Sequence, residues 1–155
     1  MENCHFDIFA DYFQFYIADD GYDELPRVKW SVQCIKDKME MVPGLINIGT
    51  ARNMTVPVEV EVRECEPRED FDKWDHIAEA GIDIRSRVLI IAGYMDPQDE
   101  APRIQLKTGS YKVWVYYGGL DTLSPDGLEG EDRYKIVLWP GIGSTVKVIK
   151  RHQGV

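Results

Sequence analysis

The chain is poor in cysteine, in histidine and in positive charge, and it has no long apolar run. Its three cysteines, Cys4, Cys34 and Cys65, stand far apart, odd in number and without a C-x-x-C pair. That spacing excludes a disulfide scaffold and a cysteine-clustered zinc module. The longest apolar-leaning stretch, Val88 to Met95, is far too short to span a bilayer. No basic segment followed by an apolar core opens the chain, so no secretory leader is expected. The economical expectation is a cytoplasmic protein with reduced thiols, in which the sequon Asn53-Met54-Thr55 receives no glycan. Bases are outnumbered, 18 Lys and Arg against 27 Asp and Glu, for a formal net charge of -9. Phosphate backbones and anionic membrane surfaces would be repelled, so neither is expected as a partner.

What is present describes an ordinary soluble domain. With 155 residues, 44% hydrophobic and 29% charged, the chain is long enough for one core without staples. A single domain over residues 1–155 is expected. The charge is unevenly placed along it. Residues 1–24 carry seven acids and no Lys or Arg, whereas the last 23 residues carry five bases and no acid. Folding could join these ends by attraction or hold them apart as two faces, and the sequence leaves both open.

Strand patterns dominate. Val56, Val58, Val60 and Val62 alternate with Pro57, Glu59, Glu61 and Arg63, a period of 2 with one charged face. Tyr111 to Tyr117 and Arg133 to Trp139 alternate as well, and Val88 to Ile91, Ile104 to Leu106 and Thr145 to Ile149 read as shorter strands. Near the start the apolar phase switches around Asp11, which predicts a bulge within one long first strand. Ser31 is a candidate N-cap for a helix whose apolar side is Val32, Ile35 and Met39, stopped by Pro43-Gly44 and packed on the sheet. Turn residues recur every 8 to 12 positions. The pattern predicts a mainly β chain, an antiparallel β-sandwich of about 8–9 strands with one short amphipathic helix.

Catalytic constellations are weak. Gly141-Ile-Gly143-Ser144 lacks the spacing of a nucleophile elbow, and Cys34 sits mid-helix, away from any acidifying dipole. Glu59 and Glu61 are about 6.5–7 Å apart by strand rise, within the span of an inverting carboxylate pair, but alternation of this kind describes a half-exposed strand. Asp72, Asp75, His76 and Glu79 would place His76 and Glu79 on one side if helical, as metal ligands require, yet no second histidine is near. The segment from Gly119 to Asp132 holds five carboxylates, Asp121, Asp126, Glu129, Glu131 and Asp132, and no base. It misses the EF-hand spacing and reads as a solvated or protein-binding loop. No cofactor, no metal site and no catalytic residue is expected, and the chain is not read as an enzyme. Trp114, Tyr116 and Tyr117 are either core residues or, if their strand face is open, a stacking surface for a ligand.

Three stretches carry a resemblance: Asp11-Tyr-Phe-Gln-Phe-Tyr16; Gly49-Thr-Ala-Arg-Asn53 with Val56-Pro-Val58; and Gly118-Gly-Leu-Asp-Thr122 with Asp126-Gly-Leu128 and Leu138-Trp-Pro-Gly141. Together they resemble a group of small bacterial proteins. More distantly, the order of elements is similar to the competence protein J family, associated with inhibition of a DNA-uptake nuclease. The family's early Tyr-x-Gln-Phe strand, its Trp before a helix, its Arg-Asn step and its late Gly-x-Tyr strand correspond to Tyr12–Phe15, Trp30, Arg52-Asn53 and Gly109–Tyr111. The acidic loop and the basic tail depart from that pattern. The resemblance implies an intracellular bacterial sandwich of inhibitor or immunity type and no catalytic residues.

The leading expectation is therefore an acidic, non-enzymatic binding protein that masks a basic protein surface such as a nuclease's. Its contact residues would come from Asp121, Asp126, Glu129, Glu131 and Asp132, with Tyr12, Gln14, Arg52 and Asn53 from the resemblance. The alternative is a small-ligand or carbohydrate-binding sandwich that stacks its ligand on Trp114, Tyr116 and Tyr117.

Overall fold

The structure is a computed structural model that describes residues 2–20, 30–68 and 70–153. Among these residues eleven strands form two facing sheets around one core. The six-stranded sheet runs in the order β1 (Glu2–Phe9), β5 (Thr55–Val62), β10 (Arg133–Pro140), β9 (Gly109–Gly118), β6 (His76–Ile84) and β11 (Lys147–Lys150). The five-stranded sheet runs β3 (Met39–Val42), β4 (Leu45–Gly49), β2 (Gln14–Asp19), β7 (Val88–Gly93) and β8 (Arg103–Gln105). One α-helix, α1 (Val32–Asp37), precedes β3. Neighbouring strands are antiparallel except β5 and β10, which run parallel with Val58 to Val62 beside Tyr134 to Leu138. No helix among the described residues is long and apolar enough to cross a membrane.

The alternating phases set the layers. Val56, Val58 and Val60 point between the sheets and are fully buried, while Pro57 is exposed and Glu59 half-exposed on the other side. Val113, Val115 and Tyr117 of β9, Ile136 and Leu138 of β10, and Phe15, Ile17, Ile46, Ile48 and Ile91 of the facing sheet complete this core. Each such side chain contributes about 1.5–3 kcal/mol by leaving water, which makes the two-sheet pairing the dominant stabilising contact.

Two expectations change on folding, and the conditional helical reading of Asp72 to Glu79 does not apply. The predicted single first strand is two strands in different sheets, because the phase switch at Asp11 marks a crossing from β1 to β2 and not a bulge. Met39 does not extend the helix. Lys38 adopts φ 59 at the C-cap, and Met39 opens β3, which pairs with β4 across the Pro43-Gly44 turn. The helix also lies the other way out: Asp37 is its buried residue, whereas Val32 and Ile35 face solvent. Finally, Asp72 to Glu79 is a short 3-10 turn running into β6, so His76 and Glu79 point to opposite faces of a strand.

Candidate functional site

The chain leaves the six-stranded sheet at Phe9 and enters the other sheet at Gln14, a reversal made in four residues. Ala10 is buried and its amide donates to the Met54 carbonyl at 3.0 Å. The turn then forces two consecutive aromatic residues into the left-handed region, Tyr12 at φ 57 and Phe13 at φ 62. For L-residues that conformation costs roughly 1–2 kcal/mol each, so neighbouring bonds must hold it. They do: the Phe13 amide donates to the Ala10 carbonyl (3.2 Å), the Thr50 amide donates to the Phe13 carbonyl (2.8 Å), and the Tyr12 amide donates to the Asn53 carboxamide oxygen (2.8 Å). The consequence is a rigid knob with both rings in solvent, Tyr12 73% and Phe13 53% exposed.

The same end gathers the other residues of the motif. The Trp30 indole donates to the Gln14 side-chain oxygen at 2.5 Å. Arg52 Nε meets Asp132 Oδ1 at 2.5 Å, with the Arg52 side chain 12% and the Asp132 side chain 0% exposed. The Tyr134 hydroxyl donates to Asp132 Oδ2 (2.7 Å) and accepts from the Ala51 amide (2.8 Å). Burial and the adjoining carboxylate push the Tyr134 hydroxyl far above its usual range, so it stays a neutral donor. Between the knob and α1 lies a cleft of about 350 Å³ lined by Tyr12, Phe13, Trp30, Ile35, Lys38 and Thr50. Burial first, and then the Arg151 guanidinium, lower the Lys38 pKa, while Asp121 opposes the shift.

The acidic loop borders this end because Arg52 reaches it twice, at Asp132 and through Nη1 to the Leu128 carbonyl at 3.4 Å. The loop is built by its own polar side chains. Ser124 Oγ donates to Asp126 Oδ1, which also accepts the Leu128 amide, and Thr122 Oγ1 accepts the Glu131 amide. The Ser124 and Leu128 bonds lower the Asp126 pKa, the Ser124 bond most. Asp121, Asp126, Glu129 and Glu131 are exposed, and among the described residues only Asp121 has an ionic partner, His152 at 3.1 Å. Asp132, expected with them at the surface, is instead withdrawn into the Arg52 pair.

A second cluster fastens α1 from below. The His76 Nδ1 accepts the His152 amide (3.1 Å), so Nε2 carries the proton and donates to the Asp37 carbonyl (2.8 Å). Arg151 pairs with the Asp37 carboxylate at 2.8 Å, and the Tyr117 hydroxyl donates to the Lys38 carbonyl at 2.5 Å. Among the described residues, Arg151 and His152 of the tail therefore meet Asp37 and Asp121, while Lys135 pairs with Glu59 and Glu61. Desolvation, with Lys38, Arg151 and His152 adding to it, lowers the His76 pKa to about 4 against the pull of its bond to Asp37.

The stacking surface of the alternative reading is closed. Trp114 and Tyr116 lie on the outer side of β9, packed with Trp74, Ile77, Val137 and Trp139 beneath Phe71 and Ile149, and Tyr117 faces the core. All three are buried, at 6%, 0% and 0% exposure, because the 3-10 turn before β6 and the strand β11 cover that face. Of the residues expected at the site, Tyr12, Gln14, Arg52, Asn53 and the loop acids share one end of the sandwich. Phe13, Ile35 and Lys38 belong there too and were not expected: Ile35 stands on the apolar side of the helical pattern, and Phe13 shares the strand phase of Phe15 and Ile17. The signal that could have found them is the phase switch at Asp11.

The sequence matches no protein-family model and no curated protein. Two solved structures share its fold. One is ComJ from Bacillus subtilis, described as an inhibitor of the DNA-degrading activity of NucA (TM-score 0.68, 15% identity, 91% of this chain and 96% of that chain). The other is described as crocagin biosynthetic gene J (TM-score 0.61, 16% identity, 91% of this chain and 98% of that chain). At these identities the likeness is one of architecture: the chain has the two-sheet fold of ComJ over nearly its whole length.

Proposed function

We propose that this chain is a non-enzymatic, inhibitor-type binding protein of the cytoplasm whose partner presents a basic surface, such as the DNA groove of a nuclease. The observation that carries the reading is the ordered loop with Asp126, Glu129 and Glu131 exposed and, among the described residues, without ionic partners. A nuclease must hold a polyanion in positive potential, and an acidic domain competes for that groove and is steered toward it. The description of ComJ as a nuclease inhibitor agrees with this reading. The three free cysteines fit a reducing compartment.

The test is inhibition of DNA degradation by purified NucA, measured for the parent chain and for Asp126→Asn/Glu129→Gln/Glu131→Gln. The parent should inhibit, and the neutralised variant should associate about 10-fold or more slowly at low ionic strength, the gap closing in high salt. Equal association rates at low salt would exclude the loop, and a parent that leaves degradation untouched would exclude the reading.

A further inference from the structure

Scattered exposed apolar side chains are ordinary, but here four large ones stand at one end of the sandwich. They are Tyr12, Phe13, Val32 and Ile35, the last two one helical turn apart on α1 and 71% and 60% exposed. The two rings are held outward by a backbone conformation that L-residues avoid. Strain maintained by three hydrogen bonds, two to backbone carbonyls or amides and one to the Asn53 side chain, with both rings left more than half exposed, is where function is to be sought. The charge around this knob says what it meets. Arg52 and Arg151 are neutralised by Asp132 and Asp37, and Asp121 is shared with His152. Among the described residues, that leaves Asp11, Asp126, Glu129 and Glu131 against Lys36 and Lys38, a negative rim around an apolar centre. A two-fold contact between copies would bring the acidic loops together, so a second copy is disfavoured and a basic protein favoured.

We propose that Tyr12 and Phe13 are the apolar anchor of the interface, inserted into a pocket on a basic partner while the loop carboxylates meet the bases around that pocket. This rests on the inhibitor reading above and adds the location and chemistry of its contact face. Aromatic anchors that are rigid before binding lose little entropy on docking, and such residues dominate interfaces. Asn53 and Thr50 are positioning residues, since the Asn53 carboxamide and the Thr50 amide bond the backbone of the knob.

The experiment measures inhibition of NucA and the melting temperature for the parent and four variants. Tyr12→Gly/Phe13→Gly removes both rings at positions where glycine is relaxed, so Tm should be unchanged or raised by about 2–4 °C. Its inhibition should fall about 100-fold. Ile142→Ala, which removes an apolar side chain 81% exposed at the other end of the sandwich, should leave inhibition intact. Tyr12→Arg should weaken inhibition more than Tyr12→Glu, because only arginine opposes a basic partner. Full inhibition by the glycine double variant would overturn the anchor and leave the inhibitor reading standing. Equal effects of Tyr12→Arg and Tyr12→Glu would overturn the basic occupant, and a dimer of the free chain broken by Tyr12→Arg would assign the knob to a second copy. A parent without inhibitory activity would overturn the inhibitor reading and this inference with it.

Discussion

Arg52→Ala is expected to destabilise the fold by about 3–5 kcal/mol, lowering Tm by roughly 10–15 °C. The reason is the environment of its partner and not the strength of one ion pair. Asp132 is fully buried, and its two oxygens are met by Arg52 Nε and the Tyr134 hydroxyl. Removing the guanidinium leaves a carboxylate in a dry site with one neutral donor, and its protonation or its escape to solvent is then unavoidable. The Leu128 carbonyl loses its Arg52 bond in the same variant, so the loop is released along with the carboxylate. Urea unfolding of Arg52→Ala, Asp132→Asn and the double variant measures this. The double variant should recover part of the loss, because it no longer contains the orphaned charge. Strictly additive losses would mean that the two groups act independently. The same tie explains why a residue expected at the surface, Asp132, instead fixes where the surface acids stand.

The second large effect is a loss of stability on acidification centred on His76. Its neutral form is required twice over, accepting at Nδ1 from the tail and donating at Nε2 to α1, and a second proton would set Nδ1–H against the His152 N–H. Lys38, Arg151 and His152 each disfavour a charge on the ring, and they are answered by the Asp37 carboxylate beside Arg151 and by Asp121 beside His152 and Lys38. The folded pKa of about 4 lies below the ordinary histidine value of 6.5. Between these values the unfolded chain binds the proton and the folded chain does not. The contribution is therefore complete above pH 6.5 and is lost as the pH falls through about 4, at no more than about 1.4 kcal/mol per pH unit. His76→Gln keeps one donor and one acceptor without the titration. Its deficit relative to the parent should be largest at neutral pH and shrink by about 2–3 kcal/mol by pH 4. A deficit that does not vary with pH would show that His76 titrates as it does in the unfolded chain.

Much of the frame was legible in the residues. The alternation from Val56 to Val62 and the aromatic strands β9 and β10 fold as their periods require, because a half-buried strand has to sort its side chains by face. β6 was not legible: Ala78, Ala80 and Gly81 supply little apolar contrast, and His76, Glu79 and Asp83 look like a polar segment. Small residues are needed there, since a Cβ on Gly81 would sit 2.1 Å from the Gly143 carbonyl oxygen. The candidate site was legible in part. Tyr12, Gln14, Arg52 and Asn53, far apart in the chain, do converge, and the loop acids lie beside them. Whether an apolar residue is core or surface is decided by what packs over it, and that long-range information is absent from local patterns. Ile35 and Phe13 are outside for this reason, and Trp114, Tyr116 and Tyr117 are inside.

Amide hydrogen exchange of the parent chain, alone and with NucA, tests the central claim most directly, because it locates the contact without altering any residue. Protection concentrated at residues 10–14, 50–54 and 120–131 is the predicted result. Protection at the opposite end instead, around Arg87 and Lys107, or none anywhere, would contradict it.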